Sequence, residues 1–165
     1  MNILLVFDKD FVIDKKGISN FLIHNTRFLN FSIGDDVNMN SNELSKPASF
    51  KFIRKQIQQK KKDFDRVFCF TEKPYDDNYF FYEYYDITIF SFYGWSYLTD
   101  LPKNNGLLYF IVDYFALEVD KTNFRHNITT GCIYDFLWQK TGIDDGMRQA
   151  KICPVCLERI TANLS

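Results

Sequence analysis

One histidine and three cysteines near the end of the chain have the types and spacing of metal ligands. They are His126, Cys132, Cys153 and Cys156, in the pattern H-x5-C-x20-C-x2-C. Zn²⁺ prefers four tetrahedral ligands, typically thiolate sulfur and imidazole nitrogen. A CxxC turn presents two thiolates to one ion, and the upstream pair supplies the other two ligands. The spacing therefore predicts one structural zinc per chain, bound in a closed site with no position left for water.

The same residues also allow an interpretation without metal. Reduced cysteine behaves as a small buried hydrophobe, and hydrogen bonds alone can hold a histidine. The remaining cysteine, Cys69, lies in the middle of an apolar run and is expected to be buried in this way. We favour zinc for the other three because clustered cysteines in a reducing compartment indicate metal binding before disulfides.

Acidic residues form two further candidate sites. Asp8 and Asp10 follow the first apolar run, where carboxylates could bind Mg²⁺, although a solvated turn is the favoured interpretation. Glu118, Asp120 and Asp113 lie near a predicted helix end and could act as acid, base or oxygen ligands of a divalent metal. The favoured interpretation for these three is a polar helix end.

Composition and charge exclude several classes of protein. The chain has 165 residues with 46% hydrophobic and 25% charged, which predicts one folded domain over residues 1–165. With 20 basic and 21 acidic residues the net charge is −1, so binding mainly to nucleic-acid phosphates is not favoured. No run of about 18 apolar residues predicts a membrane span, and the start lacks the basic region of a signal peptide. We expect a cytoplasmic protein.

Hydrophobic patterns predict the elements that position these residues. A buried strand is predicted at 2–7 and further strands at 66–71 and 86–93, whereas 8–44 shows no period and ends in a polar loop. A helix begins near Pro47, and its apolar face repeats Phe50, Ile53 and Ile57. A buried helix covers 106–119. This order predicts an α+β, or mixed α/β, fold.

Charged residues that lie between the ligands include Asp135, Asp144, Asp145 and Arg148. The sequence Ile143-Asp-Asp-Gly-Met predicts a helix start, at which an Asp caps free backbone N–H groups. Arg148 and Lys151 are then expected to face outward or to pair with these Asp residues.

The C-terminal segment resembles that of the archaemetzincin metallopeptidases. Their pattern is HExxHxxGxxH, a Cys directly after the last His, then a CxM and, further on, a CxxC. His126 matches the third His, Cys132 the Cys of CxM, and Cys153 with Cys156 the CxxC. The resemblance implies a metzincin-like core at about 47–130 and a zinc-binding segment at about 126–160, whose last helix is stapled by a structural zinc.

The departures from this family concern its catalytic residues. Ala116, Leu117 and Asp120 stand where the family has its first His, its Glu and its second His. Asn127 replaces the Cys after the third His, and Tyr134 replaces the Met of CxM. A metzincin needs three His to hold its catalytic zinc and the Glu to take a proton from water. The resemblance therefore implies a pseudo-peptidase without catalytic residues, whose remaining histidine completes the structural site.

These observations predict a non-catalytic zinc-binding domain that binds a protein or peptide beside strand 86–93 by edge-strand pairing. One alternative is a metal-dependent enzyme of different chemistry that uses Glu118 and Asp120. Another is a nucleic-acid-associated zinc module, for which the helix that begins near Pro47 offers basic residues. A solvated helix face explains the same residues, which are Lys51, Arg54, Lys55, Lys60, Lys61 and Lys62.

Overall fold

The computed structural model describes residues 1–39, 43–44, 48–57, 61–77, 79–120, 124–135 and 140–164. It divides into two compact units, residues 1–94 and 95–165. Over the described residues the architecture is mixed α/β, with a five-stranded sheet and six α-helices, which confirms the predicted fold class. The predicted single domain, with its core at about 47–130, stays a prediction.

The first unit is built on the sheet. Its strands are β1 (Asn2–Phe7), β2 (Asn30–Ile33), β3 (Arg66–Thr71), β4 (Phe81–Tyr84) and β5 (Ile87–Ser91). The order is β2-β1-β3-β5-β4, and only β4 runs antiparallel. Strands β1, β3 and β5 confirm the three predicted strands. They are buried along almost their whole length, as is typical of parallel strands covered on both faces.

Two α-helices belong to this unit, α1 (Lys15–Asn25) and α2 (Ala48–Ile57), with a 3-10 turn at Lys61–Asp63. Helix α2 was predicted, and its buried face packs on β1, β3 and β5 in a core that contains Leu4, Cys69 and Ile89. Pro47, the predicted start, lies outside the described residues, as do Lys60 and the side chain of Lys61.

Helix α1 and strands β2 and β4 were not predicted from the sequence. Only Ile18 and Leu22 of α1 are buried, so its apolar stripe is too narrow to give a clear period. The side chain of Asp14 caps this helix by accepting the Gly17 N–H at 2.9 Å. Strand β4 has one consequence for function. Because it pairs with β5, the predicted strand 86–93 is not a sheet edge, and that expectation was wrong.

The second unit is helical. Its helices are α3 (Trp95–Leu98), α4 (Lys103–Asp120), α5 (Gly142–Gln149) and α6 (Pro154–Leu164). Helix α4 is the predicted buried helix and begins three residues earlier than expected, because Lys103 to Asn105 already form its first turn. No helix in the described part of the chain is long and apolar enough to cross a membrane.

The predicted aspartate cap of α5 was wrong. The N-cap residue is Thr141, which makes no side-chain capping bond. Asp144 lies inside the first turn instead and accepts hydrogen bonds from Thr99 and Arg148. The predicted pairing of Arg148 with an Asp of this helix is confirmed, because the two side chains form an ion pair one turn apart.

Candidate metal centre

The four predicted ligands converge in the second unit. The ligand atoms of His126, Cys132, Cys153 and Cys156 all lie within 4.8 Å of one another. The His126 Nε2 is 3.4 Å from the Cys153 Sγ and 3.2 Å from the Cys156 Sγ. Three sulfur atoms and one imidazole nitrogen are the donor set that zinc prefers in closed sites. The cluster is a compact zinc-binding site, as predicted from the spacing.

Three local structures bring the ligands together. His126 lies in an extended segment, and its N–H donates to the Tyr134 carbonyl at 2.9 Å. Cys132 lies in a loop whose backbone bridges to Lys151, two residues before Cys153. Cys153 precedes α6 and Cys156 lies in its first turn, so the CxxC pair is the start of a helix. Pro154 suits the first helical position because it has no N–H to satisfy.

The two thiols of the CxxC pair differ in acidity. The backbone N–H of Cys156, with smaller contributions from its side chain and from His126, lowers the pKa of Cys153 to about 7. Burial, together with the neighbouring thiols, raises the pKa of Cys156 to about 12. The N–H of Cys153 also donates to the Cys132 Sγ at 3.4 Å. A bound metal would hold all three sulfurs as thiolates.

A buried carboxylate organises the Cys132 loop. The Oδ2 of Asp135 accepts the N–H groups of Thr130, Gly131 and Cys132 at 2.6, 2.7 and 3.2 Å. Its Oδ1 accepts the Thr130 hydroxyl at 2.8 Å. From the sequence, Asp135 was identified only as an acidic residue between the ligands. The signal that could have found this role is the short Thr-Gly-Cys-x-x-Asp segment, in which a carboxylate follows a glycine turn.

An aromatic ring and an arginine lie beside the His126 imidazole. The Phe124 ring meets this imidazole edge to face, with 5.3 Å between ring centroids. Arg159 of α6 places its guanidinium 4.2 Å from the Phe124 ring centroid. This cation–π contact joins α6 to the segment that carries His126.

The buried ion pair of Asp113 and Arg125 joins α4 to the ligand-bearing segment. Arg125 contacts both carboxylate oxygens of Asp113, with the Nη2–Oδ2 bond at 3.1 Å. Its Nη1 also reaches the carbonyls of Ile133 and Asp135 at 3.5 Å. Burial raises the pKa of Asp113, and the hydrogen bonds from Arg125 act in the opposite direction. Asp113 is therefore a buried ion-pair partner, and the predicted polar helix end was wrong for it.

Glu118 belongs to no metal-ligand cluster among the described side chains. Glu118 is exposed, and the Asp120 side chain lies outside the described residues. Within the described side chains the Cys3His group is the sole cluster of three or more metal-ligating residues.

Tyr134, which is almost fully buried, donates its hydroxyl to the Ala116 carbonyl of α4 at 2.7 Å.

Asp8 in the first unit is a buried structural carboxylate. It accepts the Thr71 hydroxyl at 2.7 Å and the Met39 N–H at 3.3 Å, and the Lys73 Nζ lies 4.0 Å away. The solvated-turn interpretation was therefore wrong for Asp8, because segments distant in sequence cover it. Asp10 is exposed, as that interpretation expects.

Comparison with known proteins places the fold. No protein-family model and no curated protein matches this chain. Among solved structures it is similar to the zinc-dependent peptidase from Methanocorpusculum labreanum (strain Z), with a TM-score of 0.54 and 16% sequence identity. The alignment covers 96% of this chain and 99% of that one. The fold is metallopeptidase-like. This metallopeptidase-like fold holds a Cys3His zinc site.

Proposed function

We propose that this chain is a non-catalytic zinc-binding protein, a pseudo-peptidase derived from an archaemetzincin-like ancestor. The observation that carries the proposal is the number and position of the histidines in the chain. The chain has two, and His126 belongs to the Cys3His cluster. The other, His24, is an exposed residue of α1 whose Nδ1 lies 2.7 Å from the Asn20 carbonyl. Two histidines cannot build the three-histidine site that the resembled peptidases need.

Direct contacts between protein groups support the loss of a catalytic centre. Ala116 and Tyr134 stand at the positions of the family's first His and of its CxM methionine, and they are hydrogen bonded to each other. Asp113 lies one helical turn before Ala116 along α4. Its ion-pair partner, Arg125, directly precedes His126 in sequence. The Tyr134 hydroxyl and the Asp113 carboxylate are thus bound by other groups of the chain, which supports the proposal that these positions hold no catalytic metal.

The donor set supports a structural role for the zinc. Four protein ligands leave no open coordination position for water or substrate. The ligands come from the extended segment at His126, the loop at Cys132 and the start of α6. A zinc at these residues would tie segments that are distant in sequence and contribute to the stability of the second unit.

The proposed partner is an extended peptide or protein segment paired with β4. This strand lies at the edge of the described sheet and pairs with β5 on one side. Edge strands present backbone groups to which another strand can add. Tyr79, Tyr84 and Tyr85 near this edge are exposed and offer amphipathic rings for contact with side chains. Pairing of the partner with a sheet edge, which the sequence analysis placed beside strand 86–93, is therefore proposed at β4 instead.

Elemental analysis combined with a peptidase assay tests the proposal. We expect one zinc per wild-type chain, a strong loss of zinc in His126→Ala and no loss in the matched control His24→Ala. We expect no hydrolysis of a mixed peptide library by any of the three proteins. Hydrolysis that disappears in either histidine variant would show that the chain is an enzyme and overturn the non-catalytic assignment.

Amide hydrogen exchange with a pooled peptide library tests the binding role separately. Binding by strand addition should slow exchange in residues 81–84 and leave 2–7, inside the sheet, unchanged. Slowed exchange confined to other segments, or no change with any peptide, would refute edge pairing at β4.

A further inference from the structure

We infer that Asp135 is a positioning residue of the zinc site, which places the Cys132 thiol for metal binding before the metal arrives. The inference rests on the zinc binding proposed above and names the residue that prepares the site. Asp135 is not a ligand in this scheme. Its carboxylate acts on the metal through the loop of residues 130–132.

The backbone of this loop binds the Asp135 carboxylate. Three successive N–H groups point to the Asp135 Oδ2, so residues 130–132 form a concave anion-binding turn. The anion is supplied by the chain itself, three residues after Cys132. Asp135 is 1% exposed, and without its carboxylate the Thr130 and Gly131 N–H groups would lose this acceptor, while the Cys132 N–H would keep only the Thr130 hydroxyl oxygen at 3.4 Å. The loss of acceptors at a site this buried has a considerable energetic cost.

Gly131 allows the backbone to adopt this turn. Its φ is +79°, in the left-handed region that other residues rarely adopt. A Cβ there would also lie 2.3 Å from the Gln149 side chain. The conformation that turns all three N–H groups toward Asp135 therefore depends on glycine.

Asp135 is linked directly to the segments of His126 and Cys132, and through the Cys132 loop to the segment that leads to Cys153. Its backbone bridges to His126, and the preceding residue, Tyr134, accepts the His126 N–H. Its side chain fixes Cys132, whose loop is bonded to Lys151, two residues before Cys153. Groups that hold metal ligands in this manner orient them and raise metal affinity.

Zinc affinity, measured by competition with a chelating dye on the full chain, tests the inference. Asp135→Ala should weaken zinc binding roughly 10- to 100-fold. Asp135→Asn keeps an oxygen for the N–H groups and should recover most of the affinity. The control Asp145→Ala removes an exposed carboxylate of α5 and should bind zinc as the wild type does. Co²⁺ in the site should show a weaker thiolate charge-transfer band in Asp135→Ala, because Cys132 is no longer held in place.

The outcomes separate this inference from the proposed function. A wild-type chain that binds no zinc overturns both. Wild-type zinc binding with equal affinity and an equal Co²⁺ spectrum in Asp135→Ala overturns the role of Asp135 alone. If Asp135→Ala does not fold, Thr130→Ala decides, since it removes one hydrogen bond to the carboxylate and should lower zinc affinity roughly twofold to tenfold. Unchanged affinity in that variant also overturns the inference.

Discussion

The hydroxyl of Tyr134 donates a 2.7 Å hydrogen bond to the carbonyl oxygen of Ala116. The two residues are 18 positions apart, and the bond joins the segment between two zinc ligands to the last turns of α4. Under the proposed function, the same positions correspond to the catalytic centre of the archaemetzincins. Here Tyr134 is almost fully buried and Ala116 is half-buried.

Tyr134→Phe tests how much this bond stabilises the second unit. The change removes one oxygen and keeps the ring, so we expect a loss of about 1–2 kcal/mol in the free energy of unfolding. Urea denaturation of the zinc-loaded protein measures it. Tyr97→Phe is the matched control, because Tyr97 is 91% exposed and its hydroxyl should contribute almost nothing. Equal stability of the two variants would contradict the stabilising role of the bond.

Cys153→Ala tests the coupling between zinc and stability. Removing one of four ligands should abolish stoichiometric zinc binding and cost about 4 kcal/mol or more, as is typical when a structural metal is lost. Elemental analysis and thermal unfolding measure the two effects.

The matched control for this variant is Cys69→Ala. Cys69 is buried in β3, where burial raises its thiol pKa, and it lies outside the metal cluster. The Cys69→Ala variant should keep its zinc, and its free energy of unfolding should fall by about 1 kcal/mol because of the small cavity. Loss of zinc in both variants would mean that unfolding, and not ligand removal, releases the metal.

Arg125→Leu should make stability depend on pH through Asp113. The hydrogen bonds from Arg125 oppose the upward pKa shift caused by burial, so their loss raises the Asp113 pKa further. A carboxyl group with a raised folded-state pKa contributes stability below its unfolded value of 3.8 and loses it as the pH rises through the folded-state pKa. We expect a cost of about 3–5 kcal/mol at neutral pH, which becomes smaller in acid.

Urea denaturation at about pH 5 and about pH 8 measures this dependence. The double variant Asp113→Asn/Arg125→Leu cannot titrate at this position and corrects for protonation of the zinc ligands at low pH. If the cost of Arg125→Leu relative to the double variant is the same at both pH values, Asp113 does not titrate as described.

Gly131→Ala tests the backbone of the Cys132 loop. The positive φ of this residue should cost about 1–2 kcal/mol once a Cβ is present. The second obstacle, the Gln149 side chain, is exposed at the end of α5 and can move away. Gly131→Ala/Gln149→Ala should therefore recover little stability in thermal unfolding. Full recovery would show that the steric contact, and not the backbone conformation, requires glycine.

The fold was predictable where one segment carries its own signal. Strands β1, β3 and β5 are apolar runs, and α2 shows its buried face at helical spacing. The elements that were missed have weaker patterns. Strand β4 has no buried residue, since it lies at the sheet edge, and α1 buries only Ile18 and Leu22. Their place depends on pairing and packing with other segments, which no local period records.

By itself the sequence determined the ligand set of the zinc site. Cysteine and histidine are the side chains that zinc prefers, and their spacing is a property of the chain alone. It also determined that two histidines cannot make a three-histidine centre. The tertiary structure alone decided that Asp135 holds the Cys132 loop, that Asp113 pairs with Arg125 and that Asp8 is buried. The physical reason is that the role of a carboxylate depends on which donors and how much water surround it, and distant segments supply both.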